Sequence, residues 1–393
     1  MRLGDCCKTN LHTYSDKEKW SLIRYLDTGS ITEGRIDEIQ TLYPGVDKIP
    51  SRARRKASVG DILFSTVRPN QKHYGIIEVG TENLLVSTGF TVVTVDTTIA
   101  DPYFIYYYLT QSSVIESLQA IAEQSTSTYP SIKPSDIEDI ELDLPELETQ
   151  KKIGSTLRML DRKIALNEEI NDNLEQQAAA LFESWFVNYD PWDGVQPSEW
   201  ENAPLGSFVE IKRGGSPRPI QDFLSDSGLR WLKISDVTSL SSPFVLEIKE
   251  HIKEEGLRKT VFLHAGELVL SNSATPGIPK ILDVDTCIHD GWLYFPKSEL
   301  SKYYLYLFFK HIRKELVALG NGSVFTNLKT DILKAFPATK ADEATLKEFD
   351  ALVTPLFDAM LNADRENFKL AAMRDALLPK LMSSEIDVSE VEL

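Results

Sequence analysis

The chain has 393 residues, 26% of them charged, and a formal net charge of −17. This length predicts two or three domains. The acidic balance excludes a protein that coats DNA through a generally basic surface, so any contact with DNA must be local or assisted by a partner. Residues 341–393 carry much of the excess, with 12 acidic and five basic side chains.

Targeting and cysteine patterns predict a cytoplasmic protein without a metal or a cofactor. No apolar run approaches the roughly 18 residues of a membrane helix, and the first residues do not resemble a signal peptide. Cys6 and Cys7 are adjacent and Cys287 is far away, so they form neither a disulfide framework nor a paired zinc motif. We expect three reduced thiols that act as small apolar side chains.

The chain repeats itself at an offset of about 200 residues, which is the signature of an internal duplication. The matched pairs are Leu3-Gly4 with Leu205-Gly206, Gly60-Asp61 with Gly266-Glu267, Thr88-Gly89-Phe90 with Asp290-Gly291-Trp292, and Pro145 with Pro337. Each copy then enters a long helical pattern. Two copies of one domain predict a bivalent protein with pseudo-twofold symmetry.

The first repeat, residues 1–145, predicts a mixed domain. Short β-rich runs at 61–67, 75–79 and 84–95 are bounded by turn-forming residues, and an aromatic-rich helix follows at 103–121. We interpret the aromatic side chains of this helix as core rather than as a platform that stacks bases.

The second repeat, residues 190–340, has the same pattern. Strands are predicted at 261–270 and 279–284, and a second aromatic-rich helix is predicted at 303–319. The two copies differ in sequence outside the matched motifs.

Long helices are predicted for residues 146–189 and 341–382. Apolar side chains recur at alternating steps of three and four, which is typical of a coiled-coil seam. Asn167, Asn171 and Asn367 interrupt these seams. Two interpretations remain open: the asparagines fix the register of a buried seam at a cost in stability, or they lie in a slipped, solvated seam.

Connectivity predicts how these helices pair. If they pair with each other they run antiparallel, and a helix of about 43 residues is roughly 65 Å long. Pro355 predicts a kink or a late start in the second helix, and residues 383–393 form an acidic tail. The sequence thus predicts an α+β protein in which two pseudo-repeated mixed α/β domains are separated by two long antiparallel coiled-coil helices.

The order of these parts resembles the specificity (S) subunits of type I restriction-modification systems over essentially the whole chain. The segments that carry the resemblance are VGDILFSTVRP from Val59, STYPSIKPSDIEDIELDLPELETQKKI from Ser127, LFESWFV from Leu181, AGELVLS from Ala265 and NGSVFTNLKTDILKAFP from Asn321. The resemblance implies two target recognition domains, each reading one half of a split, asymmetric DNA target, with helices that set the spacing. It also implies double-stranded DNA, two modification (methyltransferase) subunits and, through them, restriction subunits as partners, and no catalysis by the chain itself.

Basic and amide side chains are the candidates for DNA contact. Arginine and lysine neutralise phosphates, and arginine, asparagine and glutamine can also read base edges; a solvated charged loop is the alternative. The candidates in the first repeat are Arg52, Arg54, Arg55, Lys56, Arg68, Asn70, Gln71, Lys72, Ser127, Thr128 and Lys133. The counterparts expected in the second repeat are Lys212, Arg213, Arg218, Lys233, Ser271, Asn272, Asn321, Asn327 and Lys329.

The end of the first helix is unusually bulky. Leu181, Phe182, Trp185 and Phe186 predict a surface for a partner protein, although packing against the second repeat is an equally natural use for them.

Catalytic motifs are missing from the sequence. There is no phosphate-binding loop, dinucleotide motif, HExxH or GxSxG. Asp236 with Glu247-Ile248-Lys249 is a weak nuclease-like pattern, and 188–192 reads more naturally as a linker turn than as an adenine-binding motif. A non-catalytic DNA-recognition subunit is therefore favoured. The alternative is a bivalent coiled-coil scaffold without DNA contact, and salt-dependent DNA affinity would distinguish the two.

Overall fold

A computed structural model describes residues 1–125, 129–320 and 328–388. The chain divides into two compact units. Unit one comprises Met1–Lys163 and Leu370–Leu393, and unit two comprises Ile164–Lys369. Among the described residues, no helix is long and apolar enough to cross a membrane.

The described part of the first repeat consists of ten strands and four short α-helices, followed by a long helix. The strands are β1 Cys7–Thr9, β2 Ile23–Leu26, β3 Ile31–Thr32, β4 Arg35–Ile36, β5 Gln40–Leu42, β6 Ala53–Lys56, β7 Ile62–Ser65, β8 Tyr74–Ile76, β9 Leu84–Ser87 and β10 Phe90–Val95. The helices are α1 Leu3–Cys6, α2 Pro102–Leu109, α3 Ser112–Glu123, α4 Pro134–Glu138 and the long α5 Leu147–Phe186.

Outside residues 321–327, the second repeat contains twelve further strands, and it too ends in a long helix. The strands are β11 Glu201–Pro204, β12 Val209–Arg213, β13 Leu224–Ser225, β14 Leu229–Leu232, β15 Phe244–Val245, β16 His251–Ile252, β17 Val261–Leu263, β18 Leu268–Ser271, β19 Pro279–Leu282, β20 Thr286–Ile288, β21 Trp292–Ser298 and β22 Pro337–Lys340. The helices are α6 Ser235–Thr238, α7 Lys302–Gly320, α8 Thr330–Ala335 and the long α9 Glu343–Met382.

The repeat in the sequence is a repeat in topology. In the first copy one sheet has the order β1-β10-β7-β8, and in the second copy β12-β21-β18-β19 follows the same order with β15 added. A second sheet, β5-β2-β9-β6, corresponds to β16-β14-β20-β17 with β13 added. In both copies the central pair of this second sheet, β2 with β9 or β14 with β20, is parallel.

Equivalent glycines lie in the turns that precede β7 and β18. Gly60 has a φ of +90° and Gly266 a φ of +93°, in the left-handed region that favours glycine. Each is followed by a carboxylate that accepts a main-chain hydrogen bond three residues back, Asp61 from Ser58 and Glu267 from His264. The Gly-Asp and Gly-Glu pairs of the sequence are therefore one turn, used twice.

The first aromatic-rich segment is two helices rather than the predicted single helix. Thr110 and Gln111 separate α2 from α3. Their side chains donate to the carbonyls of Tyr107 and Tyr108, and Gln111 adopts an extended ψ of 139°. Short polar side chains that bond to nearby carbonyls compete with continued helix. The aromatic residues of α2 and α7 are largely buried, which agrees with a role in the core.

The two long helices run antiparallel. In unit two, Asn167 Nδ2 donates to Asn367 Oδ1 at 2.8 Å, and Asn171 Nδ2 donates to Asp364 Oδ1 at 2.8 Å, so residue numbers rise along α5 as they fall along α9. Asn167 is 3% and Asn171 8% exposed. Burial and mutual bonding favour the interpretation that these asparagines fix the register.

Pro355 does not delay the second helix. α9 begins at Glu343 and continues to Met382, and Pro355 lies within it, so the predicted late start is wrong. Proline removes only one main-chain donor, and the buried neighbours Val353 and Phe357 hold the helix through this turn. Of the acidic tail, residues 383–388 are described, and Val388 is buried in the core of unit one.

Candidate nucleic-acid interface

In each repeat three segments meet at one end of the sheet that contains β7 and β10, or β18 and β21, and we call this region the loop end. In the first copy the main-chain N–H of Thr66, just after β7, donates to the carbonyl of Gly89, just before β10, at 2.7 Å. In the second copy Asn272 donates to Gly291 at 2.8 Å in the same way. The antiparallel pairing of these strands brings the loops together.

The third segment at the loop end comes from the last part of each repeat. Ile132 donates to the carbonyl of Thr66 at 2.9 Å, and Leu328 donates to the carbonyl of Asn272 at 2.7 Å. The next residues along the chain are the predicted contact residues Lys133 and Lys329. Four other predicted contacts, Ser127, Thr128, Asn321 and Asn327, lie outside the described residues.

The loop after β7 presents the densest group of predicted contacts. Arg68, Asn70, Gln71 and Lys72 are all exposed. Arg68 has a φ of +49° and lies 5.1 Å from the centre of the Tyr129 ring, while Lys72 forms an ion pair with Glu33. The side chains are therefore displayed on a short, defined turn rather than on an extended loop.

The equivalent loop of the second repeat is built differently, and it corrects two predictions. Ser271 is fully buried and donates to the carbonyl of Thr275 at 2.6 Å, and Asn272 is 2% exposed. Both side chains support the loop from within, so neither is available to DNA in this structure. Among the described residues, the Asn272 Oδ1 atom has no hydrogen-bond partner.

The basic segment 52–56 adjoins the loop end of the first repeat. The carbonyl of Arg52 accepts from Thr88 at 2.9 Å. Arg55 is half-buried, burial lowers its pKa, and Lys56 forms an ion pair with Glu18. Arg54 occupies the same strand, β6.

Strand order corrects the expected counterparts of this segment. By topology β6 corresponds to β17, whose residues Val261–Leu263 are apolar, while Lys212 and Arg213 lie in the equivalent of β1. The two repeats therefore carry their positive charge on different elements. Comparison of the two repeats in sequence missed this difference, because a cluster of basic residues does not reveal which strand of the sheet it will occupy.

In the second repeat the glycine-rich loop after β12 packs against the turn before β21. Asp290 accepts from Ser216 Oγ at 2.6 Å and from Arg218 at 3.0 Å, and Arg213 donates to its carbonyl. These donors lower the pKa of the Asp290 carboxyl. A side chain at Gly214 would collide with the carbonyl of His289, so only glycine permits this packing.

Five of the predicted cations already have a carboxylate partner within their own unit. Lys212 pairs with Glu210 at 2.9 Å and Lys233 with Glu250, as Lys56, Lys72 and Arg218 pair with their neighbours above. Exposed pairs of this kind contribute little stability. Breaking such an exposed pair costs little, so the pairing does not prevent these cations from binding another anion.

The bulky end of α5 is mostly internal, which corrects the predicted partner surface. Phe182 and Phe186 are buried against Tyr304 of α7 and Phe349 of α9, with Leu181 and Trp185 partly buried beside them. Half-exposed apolar residues on the long helices were missed in the sequence because they lie outside the positions of the predicted coiled-coil seams. They are Met159, Leu166, Ile170, Leu352, Phe368 and Met373.

The two weak catalytic patterns of the sequence lie in turns of the structure. In the described part of the chain, no cluster of three or more histidine, cysteine or acidic residues could hold a metal ion. Asp236 accepts from the main-chain N–H of Lys233 and so caps a turn. Segment 188–192 is a turn in which Tyr189 has a φ of +58°.

Comparison with known proteins identifies the family. The family described as "Type I restriction modification DNA specificity domain" matches residues 48–176 and 197–339, one match in each repeat. The chain is 25% identical to the type I restriction enzyme HindI specificity subunit of Haemophilus influenzae, with 98% of each chain covered. It is 24% identical to the MjaIX specificity subunit of Methanocaldococcus jannaschii, covering 84% of this chain and 79% of that one.

The fold agrees with this relationship. A crystal structure of a type I restriction-modification system S subunit from M. genitalium is 15% identical and superposes with a TM-score of 0.59, covering 97% of this chain and 95% of that one. The predicted fold class is therefore confirmed, and the scaffold alternative has no support from the matched domains. This chain belongs to the family of type I restriction-modification DNA specificity proteins: it is a non-catalytic specificity subunit that recognises DNA sequence through two specificity domains.

Proposed function

We propose that the loop end of each repeat reads one half of a split, asymmetric DNA target, and that α5 and α9 set the spacing between the halves. The observation that carries this proposal is one scaffold with two different sets of loops. At the turn after β7 the left-handed residue is Arg68, and at the equivalent turn after β18 it is Ala274, with φ values of +49° and +57°. Equivalent left-handed positions thus carry a long cation in one copy and a methyl group in the other.

The proposed division of the chain follows from this assignment. Recognition domain one spans residues 1–145 and recognition domain two 190–340. The segments 146–189 and 341–382 are spacers, and 383–393 is a tail. The site of action is the cytoplasm, and the three cysteines, which are free and buried, suit a reducing compartment.

The proposed partners are double-stranded DNA, two methyltransferase subunits and, through the complex, restriction subunits. The half-exposed apolar residues of the long helices, such as Leu166, Ile170 and Phe368, suit a protein interface better than Phe182 and Phe186, which are already buried. A duplicated chain offers two related surfaces, and this supports two methyltransferase copies.

Contact with phosphates can be tested through salt. We consider the chain in complex with the methyltransferase subunits. Replacing the exposed Arg52 and Arg68 with alanine is expected to lower its affinity for all DNA duplexes by a similar factor. Each lost phosphate contact should reduce the slope of log affinity against log salt by about one. Lys347→Ala, an exposed lysine on α9, is the control and should leave the slope unchanged. Equal slopes for the wild type and the double variant would contradict contacts at this loop end.

A further inference from the structure

The segment before β10 and β21 has one geometry and two different side chains. In the first repeat Ser87 Oγ accepts from the main-chain N–H of Gly89 at 3.2 Å, and in the second repeat His289 Nδ1 accepts from Gly291 at 2.8 Å. Serine and histidine therefore occupy the same position and make the same main-chain bond. The repeats differ in what remains of the side chain beyond that bond.

The bond to Gly291 fixes the tautomer of His289. A main-chain N–H can only donate, so Nδ1 must be the acceptor and the proton of the neutral ring lies on Nε2. Burial lowers the pKa of His289, and the positive charges of Arg213 and Lys233 act in the same direction. The negative charges of Asp290 and Asp236 raise this pKa, but they do not outweigh burial. The ring stays neutral near pH 7, and Nε2–H is a permanent donor.

Packing fixes the direction of the ring. Its centre lies 5.9 Å from that of Trp231 and 6.4 Å from that of Trp292. A side chain at Gly291 would collide with the imidazole and with Ser273 Oγ, so glycine is required beside it. A side chain held this firmly can present one hydrogen with little loss of conformational entropy.

The ring is also within reach of a ligand. The His289 side chain is 20% exposed, whereas Ser87 is fully buried. Within the described ranges Nε2 has no hydrogen-bond partner, and the adjacent residue Asp290 binds both Arg213, at the end of β12, and Arg218, on the loop that follows. An oriented donor next to two cations suits the edge of a base approached between phosphates.

We infer that His289 is a specificity-determining residue of recognition domain two, whose Nε2–H donates to an acceptor on a base edge in the major groove. Such acceptors are N7 of a purine, O6 of guanine and O4 of thymine. Recognition domain one has no counterpart, because Ser87 is buried. This inference rests on the proposed function and names one residue that makes the two half-sites different.

The test replaces His289 by serine, the residue that occupies this position in the first repeat. Serine can accept from Gly291 as Ser87 accepts from Gly89, but it lacks the Nε2 donor. The full chain with its methyltransferase subunits is incubated with random duplex DNA, and the retained DNA is sequenced. We expect loss of preference at one base pair of the second motif, with the rest of that motif, the first motif and the spacing unchanged.

A second arm tests the chemistry of the contact. The target selected by the wild-type protein is prepared with one altered base. The affected purine is replaced by its 7-deaza analogue, or the affected thymine or guanine by an analogue without its carbonyl oxygen. The affinity of the wild-type protein should then fall about five- to tenfold, the usual value of one hydrogen bond. The serine variant should not respond to the analogue. His289→Thr, whose hydroxyl can also accept from Gly291 but lacks the Nε2 donor, should behave like serine and guards against a folding defect in one variant.

The outcomes separate the two levels of the account. No split motif for the wild type would overturn the proposed function itself. A clear wild-type motif that both variants reproduce unchanged would overturn the role of His289 alone. A uniform loss of affinity with an intact motif would show a phosphate contact or a structural role, and would equally overturn it.

Discussion

Replacing Phe349 with alanine is expected to lower the free energy of unfolding of unit two by about 3–5 kcal/mol, the usual cost of removing a buried phenylalanine. Phe349 is completely buried. Its ring lies 4.8 Å from that of Phe186, 5.8 Å from that of Trp185 and 6.3 Å from that of Tyr304, measured between ring centres. It therefore joins α9 to α5 and α7 at once, and the cavity left by alanine cannot close by moving one helix.

Urea unfolding followed by tryptophan fluorescence measures this effect, because five of the six tryptophans lie in unit two. Leu352→Ala is the matched control. It lies one turn along α9, is 45% exposed, and should cost no more than about 0.5 kcal/mol. Similar losses for the two variants would show that the bulky end of α5 is not packed as described.

Lys280 is expected to make unit two more stable in mild alkali. Its side chain is 3% exposed in β19, and Nζ donates to the carbonyls of Leu240 and Ser242. Burial lowers the pKa of Lys280 to about 8 from 10.5. Glu175 and Asp364 oppose this shift, while Lys310 and Arg313 favour it.

The sign follows from proton binding. Between pH 8 and 10.5 the unfolded chain keeps this proton and the folded chain has released it, so stability from this group rises with pH. The whole rise amounts to about 3 kcal/mol, and below pH 8 the folded state bears the cost of a buried charge. Lys280→Met should remove the rise, measured as the difference between variant and wild-type unfolding free energies across this range. Lys369→Met, an exposed lysine on α9, should retain it; a pH-independent difference for Lys280→Met would contradict a buried charge.

Periodicity and repetition predicted the architecture. The alternation of apolar residues indicated both long helices, and the Gly60 and Gly266 turns showed that the two mixed domains share a fold. Both signals are local and survive divergence, because a helix needs its period and a left-handed turn needs its glycine. The break between α2 and α3 was missed because two polar residues, Thr110 and Gln111, barely disturb a helical pattern.

Residue type alone could not distinguish candidate DNA-contact residues from residues whose side chains hold a loop in place. Ser271 and Asn272 are polar residues in a loop, as contacts should be, yet their side chains point into the loop and hold it. In the sequence, Phe182 and Phe186 suggest a surface for a partner protein, but in the structure α7 and α9 cover them. His289 carried no signal in the sequence, since its role depends on a main-chain donor and two tryptophans from other strands.

The most direct test of the account is the selection of random duplex DNA by the chain bound to its methyltransferase subunits, at moderate salt. Two different short motifs at one fixed spacing are predicted, because two loop ends of unequal composition are carried by one pair of helices. A symmetric pair of identical motifs, two motifs at variable spacing, or no enrichment with the partner demonstrably bound would contradict it.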